Sequence, residues 1–138
     1  MKIEIKKSIK YVDYDVALKF LEKRVEDVIN RKKPELLWIL EHKPIFTAGT
    51  SSKENEILNK TINVTKTSRG GKITHHGPGQ KIVYFVLNLN ERGKDIRKLI
   101  KHVENCIIKI LKEYGIKSFS DKKNIGIWVN INGKAKKV

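Results

Sequence analysis

Residues 68–89, SRGGKITHHGPGQKIVYFVLNL, constrain this chain more than any other segment. Four glycines, Pro78, two adjacent histidines and one of the chain's five arginines fall within a dozen positions. An apolar run follows at once. Glycine at that density lets a main chain approach a second surface with no Cβ in the way. "INVTKT" alternates like a strand up to Ser68, and "KIVYFVLNL" has strong β-propensity and is too apolar for a surface strand. The segment therefore reads as a glycine-rich loop leading from strand to strand. Its bare amides sit beside a planar cation, Arg69, a hydroxyl, Thr74, and an imidazole, His76. Gly77-Pro78-Gly79 is a rigid turn that holds these groups in place.

Such a loop invites a phosphate reading, and the spacing denies it. The Walker pattern needs Gly where the chain has Lys66 and Ser or Thr where it has Ile73. The dinucleotide fingerprint requires the loop to open a helix, whereas here a strand follows. A metal centre finds little support either. Beyond His75 and His76 the soft ligands are His42, His102 and Cys106, and neighbours on an extended backbone point to opposite sides. Cys106 falls on the apolar stripe of a helix, so it is expected to be a buried, inert thiol.

Along the rest of the 138 residues no repeat, low-complexity tract or Pro/Gly-rich linker interrupts the pattern, which predicts one domain spanning 1–138. Residues 3–12 read as an opening strand. From Asp13 an amphipathic helix carries Tyr14, Leu18, Leu21, Val25, Val28 and Ile29 on one stripe. "ELLWILEH", bounded by Pro34 and Pro44, reads as a strand buried on both faces, and "IFTAG" as another. A second helix spans 94–114 with Gly115 as its left-handed cap. "IKSF" and "IGIWVNI" supply further strands, and Asn132-Gly133 is a tight-hairpin signal. The return strand it demands can draw only on "KAKKV".

Charge is the loudest feature of composition: 30 basic residues against 15 acidic, a net +15. An acidic protein, nucleic acid or an anionic surface would be attracted. Most of the excess is lysine scattered from Lys2 to Lys137 among Ile and Asn, a spread that argues against a dedicated nucleic-acid stripe, which would gather Arg and aromatics. No apolar run approaches the roughly 20 residues that cross a bilayer, and the N-terminus lacks a signal-peptide core. A single cysteine agrees with a reducing compartment, so a cytoplasmic location is expected.

The string RGGKITHHGPGQKIVYFVLNL closely resembles the signature of the lipoate-biosynthesis octanoyltransferases. That family carries Arg-Gly-Gly-x-x-Thr, an aromatic, His-Gly-Pro-Gly-Gln and an apolar strand. Arg69, Gly70, Gly71, Thr74, His76, Gly77, Pro78, Gly79 and Gln80 match in register. "YDVAL" at 14–18, "LLWILEHKPIFTAG" at 36–49 and "NIGIWV" at 124–129 follow the family's order. The adenylating lipoate and biotin ligases share the fold but place His-Asp where this chain has His-Gly-Pro-Gly-Gln.

The resemblance implies an α/β (α+β) fold, a mixed β-sheet flanked by helices, of the lipoate/biotin protein ligase type. It implies transfer of an octanoyl group from octanoyl-acyl carrier protein, through an enzyme cysteine thioester, to a lysine of lipoyl domains in 2-oxoacid dehydrogenases and the glycine cleavage protein, with no cofactor. Arg69, Gly70, Gly71, Lys72, Ile73, Thr74, His75 and His76 take the place of the family's acyl-binding wall. The family's catalytic lysine maps onto Lys137, with Lys136 one register away. Two departures stand out. His75 replaces an aromatic, and the Pro-Cys-Gly nucleophile that follows later in the family is not among these residues. The expectation is a chain truncated at its C-terminal side and inactive alone. A different class also accommodates the charge: a non-catalytic basic module binding nucleic acid or an acidic protein.

Overall fold

The computed structural model describes residues 2–121 and 125–138. Asn124, which opens "NIGIWV", lies outside the described residues. The chain divides into two compact units, Met1–Asn88 and Leu89–Val138. No helix is long and apolar enough among the described residues to cross a membrane.

The first unit is organised by β2 (Glu35–Leu40). β1 (Ile3–Lys7) pairs with it in parallel and β6 (Ile82–Val86) antiparallel, so β2 is the central strand of a mixed sheet. Its alternation decides its packing: Leu36, Trp38 and Leu40 are buried, while Leu37 and Ile39 on the other face are half-buried. With Ala17 and Val86 they form the core, which Val12, Phe20, Leu21, Val28, Ile82 and Tyr84 surround. Trp38 packs its ring 4.7 Å from that of Phe20 and donates its indole N–H to Ser8 Oγ at 3.0 Å.

α1 (Tyr14–Ile29) docks on this sheet through Tyr14, Leu21 and Val28 of the expected stripe, but the stripe does not hold throughout. Val25 and Ile29 are exposed, whereas Tyr14, Ala17, Arg24 and Asp27 are buried. Small Ala17 allows close approach at the N-terminal half, and ion pairing rotates the rest inward. Arg24 bonds Glu4 of β1 at 2.7 Å, holding the Glu4 carboxyl below its usual range. Asp27 is flanked by Lys23 at 3.2 Å and Lys33 at 3.7 Å. Asp13 sits at the cap position but makes no capping bond, pairing instead with Lys43 at 2.9 Å.

The same unit carries a second mixed sheet: β3 (Ile45–Ala48) between β4 (Val64–Lys66), parallel to it, and β5 (Ile73–His76), antiparallel. The expected mixed pairing is thus present, distributed over separate three-stranded sheets among the described residues.

In the second unit, β7 (Ser118–Ser120), β8 (Ile127–Ile131) and β9 (Lys134–Lys137) form an antiparallel sheet. The hairpin forms at Asn132-Gly133 with positive φ at both residues, 51° and 76°. α2 (Ile96–Glu113) packs on β7 and β8. Asp95 caps its start by accepting from the Lys98 amide at 2.9 Å. Gly115 ends it at φ 74°. Its amide bonds Lys112 O, and that of Ile116 bonds Leu111 O, the paired bonds of a Schellman motif. One expectation is corrected here: Cys106 is exposed. α2 buries no residue, so a place on its apolar stripe does not bring burial.

Leu40 has no solvent-exposed surface, and truncating it leaves a cavity that the central strand cannot close. Leu40→Ala is expected to lower the unfolding free energy by about 2–5 kcal/mol in urea titrations, with the slope unchanged.

Candidate active site

The glycine loop is shaped by Arg69. Its guanidinium donates from Nε to Thr47 Oγ1 at 3.1 Å and from Nη2 to Thr47 O at 2.9 Å and Oγ1 at 2.7 Å. It reaches Lys72 O at 2.8 Å and Gly70 O at 2.9 Å as well. Thr47 is completely buried in β3, so the loop is folded back over the strand by its own arginine. The chain after β3 completes the clasp. The Gly49 amide donates to Lys72 O, that of Thr50 to Arg69 O at 2.9 Å, and that of Ser51 to Gly71 O at 3.1 Å. A Cβ on Gly49 would overlap Gly71 O and stand 2.7 Å from Gly70 O, which is why the segment after "IFTA" needs glycine.

These bonds orient the amides. In a planar trans peptide the N–H points opposite the C=O of the same unit. The carbonyls of Arg69, Gly70 and Gly71 are all engaged by Arg69 or by residues 50–51. The amides of Gly70, Gly71 and Lys72 are therefore turned outward. The protein supplies no acceptor to Gly70 or Gly71 among the described residues. The loop presents a short row of donors suited to a carbonyl or anionic oxygen.

β5 separates the remaining residues onto two faces. Ile73 opens on a cavity of about 590 Å3 with Ala48, Ile57, Ile62 and Val64. His75, at the register where the resembling family has an aromatic, packs its ring 4.7 Å from that of Phe46. On the other face Thr74 lies across from Thr47 and accepts its hydroxyl at 3.5 Å. His76 stacks on Tyr14, centroids 5.9 Å apart and planes 15° from parallel.

That second face belongs to a cluster of rings. His42 is fully buried; its Nδ1 donates to Val12 O, which can only accept, and its Nε2 meets the Tyr84 hydroxyl, each at 2.8 Å. The ring of His42 stands 5.2 Å from Tyr14 and 5.8 Å from His76. Burial, and then Tyr14, push the Tyr84 hydroxyl up to about 12. His76 Nδ1 bonds Gln80 Oε1 at 2.8 Å. Burial holds the His76 imidazole below its usual 6.5 although the Gln80 bond opposes that shift.

Gly77-Pro78-Gly79-Gln80 closes as a turn, the Gln80 amide bonding Gly77 O and Gly79 taking φ 86°, as a type II turn with Pro at its second position requires. Glu41 fixes it from β2's end, accepting from the Gly79 amide at 2.8 Å and from Lys81 at 2.7 Å. Lys72 pairs with Glu56, so its ammonium is committed to the neighbouring loop.

In the second unit Lys137 lies across from Trp128 and Lys136 across from Val129. Lys137's side chain rests on Gly126: a Cβ there would stand 3.0 Å from its Nζ.

Several of these residues are not among the sequence-derived candidates. Thr47, Gly49, Tyr14, His42, Tyr84 and Gly126 matter by contact. The signal available for them was the matched segments "YDVAL", "LLWILEHKPIFTAG" and "NIGIWV" and, for Tyr84, the apolar strand "KIVYFVLNL".

The fold is similar to that of P. falciparum LipL1, solved in complex with lipoate, at TM-score 0.51 and 13% identity, covering 96% of this chain and 41% of that one. The chain belongs to the lipoyl protein ligase A/B catalytic domain family, whose model matches residues 13–138. Among curated relatives, the octanoyltransferase of Wolbachia pipientis wMel is 43% identical over 128 residues. That of Ehrlichia ruminantium (strain Gardel) is 43% identical over 129 residues. Both alignments take in 92% of this chain, which spans 62% of each relative's length.

Two measurements check the site. Gly49→Ala is expected to cost about 1–3 kcal/mol of stability by forcing the glycine loop off β3. An unchanged melting temperature would contradict the clasp. For His76, a folded-state pKa below the unfolded value of 6.5 means that the unfolded chain binds more protons just below that pH. Its contribution is complete above 6.5 and is lost as pH falls through the folded value. Urea titrations between about pH 5 and 8 should show stability falling on acidification, and His76→Gln should flatten that slope.

Proposed function

We propose that this chain carries the acyl-binding part of an octanoyltransferase, with its two units as parts of one catalytic-type domain over 1–138. The donor is octanoyl-acyl carrier protein in the cytoplasm. The acceptors are lysines of lipoyl domains in 2-oxoacid dehydrogenases and the glycine cleavage protein. In this reading a cysteine thiolate attacks the thioester carbonyl, the carrier thiol leaves, and the acceptor amine then takes the acyl group from the enzyme thioester. Lys137 handles protons beside that cysteine.

The single observation that carries the reading is the outward row of amides on Gly70, Gly71 and Lys72, set by Arg69 within a string that matches the transferase signature except at His75. A thioester carbonyl gains negative charge when attacked, and fixed backbone donors stabilise that charge without reorganising. Ile73 adds apolar surface for the chain, and Thr74 and His76 keep the opposite face polar. Curated octanoyltransferases as relatives support the same chemistry. The net +15 suits an acidic carrier.

The one cysteine of the 138 residues, Cys106, lies on α2, away from the family's nucleophile register. Purified 138-residue chain mixed with octanoyl-acyl carrier protein is therefore expected to show no thioester-linked octanoyl mass. A hydroxylamine-labile adduct on Cys106 would overturn that assignment. Octanoate, in contrast, should raise the melting temperature in a concentration-dependent way, and Gly71→Val should abolish the shift. No shift at saturating octanoate would remove the acyl wall from the reading.

A further inference from the structure

We propose that Gly126 is a positioning residue for Lys137 and selects it over its neighbour Lys136. The functional side of this inference rests on the transferase reading of Lys137. Its structural side does not.

The two lysines are adjacent on β9, so their side chains leave opposite faces of the sheet. Cross-strand register puts Lys136 beside Val129 and Lys137 beside Trp128. Trp128 is in turn paired with Phe119 of β7. Lys137 thus closes a row, Phe119–Trp128–Lys137, across three strands. Two positions before Trp128, on the same face, comes Gly126 at φ 137°, a conformation L side chains rarely adopt.

Lys137 uses the space that this glycine leaves. An ideal Cβ on Gly126 would overlap Lys137 Cε and lie 3.0 Å from Nζ and 3.5 Å from Cδ. The lysine therefore runs diagonally back across β8 and lies flat on bare backbone, the reach expected of a long side chain toward the i−2 neighbour of its partner. Among the described residues no carboxylate pairs with Lys137. Its direction is set by packing and not by a counter-ion. A lysine free on a strand samples many rotamers; one seated against a wall presents its amine in one place, which proton transfer to or from a neighbouring sulfur requires. Any side chain at 126 takes that seat.

The test needs no turnover. In the full chain, reductive dimethylation with 13C labels every lysine amine. Nuclear Overhauser contacts from the Lys137 methyls to Gly126 Hα are expected, and none from those of Lys136. Trace acetylation with peptide mapping should find Lys137 several-fold slower than Lys136, because one side of its amine is covered. Gly126→Ala should remove both the contact and the rate difference. Because Gly126→Ala also strains φ, a semisynthetic chain with D-alanine at position 126 provides the control. It accepts the positive φ while directing its methyl away from the seat, and both signatures should survive. Absence of the contact in the wild-type chain, or equal loss with either enantiomer, would refute the proposal. Octanoate binding is scored separately: a chain that keeps the Lys137 contact but gains no thermal protection from octanoate loses the transferase reading and retains the seat.

Discussion

The first unit depends on how Arg69 meets Thr47. A guanidinium brought against the fully buried Thr47 must find acceptors, and this one finds only neutral oxygens: two of Thr47 and two loop carbonyls. Leaving such carbonyls without donors costs about 1–3 kcal/mol each when they are buried. Gly71, at φ 85°, takes the backbone conformation that lets successive peptides turn their oxygens the same way. The outward amides follow from peptide planarity, so the donor row and the anchoring of the loop are one feature. A lysine at this position could not reproduce it, since a point ammonium lacks the planar fork that spans strand and loop together.

β5 then distributes chemistry by alternation. Ile73 and His75 leave on the side of the cavity and Phe46; Thr74 and His76 leave toward buried polar groups. The doubled histidine becomes intelligible in these terms. His75 fills an aromatic's place by packing its tilted ring against Phe46, while His76 joins Tyr14 and His42, which in turn meets Tyr84. His42 secures that cluster from within by engaging both ring nitrogens. It links the start of α1, the end of β2 and β6, the elements that also make the hydrophobic core.

What was legible in the sequence follows from the range of the interaction involved. Local signals read well. The Asn132-Gly133 hairpin and the Gly115 cap are set by backbone conformations that few residues adopt, and both form. The apolar run "ELLWIL" read as a strand, which the structure places at the centre of its sheet. The stripe of α1 read correctly at Tyr14, Leu21 and Val28 but not at Val25 and Ile29, and it missed the buried, ion-paired Arg24 and Asp27, because a hydrophobic count scores ionic residues as exposed. Cys106 failed for the opposite reason, since an apolar stripe predicts burial only where a partner surface exists. Within the site, the loop residues were found by their string. Thr47, Gly49 and His42 act across 22 to 42 positions of sequence, and no periodicity reports contacts of that range.

Gly49 and Gly126 show one physical device used twice. Each lies beneath a long cationic side chain, and in each case a Cβ would meet that side chain: Arg69 Nη1 at 2.9 Å over Gly49, Lys137 Nζ at 3.0 Å over Gly126. The outcomes differ because the cations do. Over Gly49 the guanidinium saturates itself with fixed oxygens and becomes part of the wall. Over Gly126 the ammonium has steric support without a carboxylate partner among the described residues, so packing alone sets its direction. A glycine below a cation therefore does not by itself distinguish scaffold from chemistry. The acceptors around the cation make that distinction: fixed oxygens hold Arg69 in the scaffold, whereas among the described residues no carboxylate fixes Lys137.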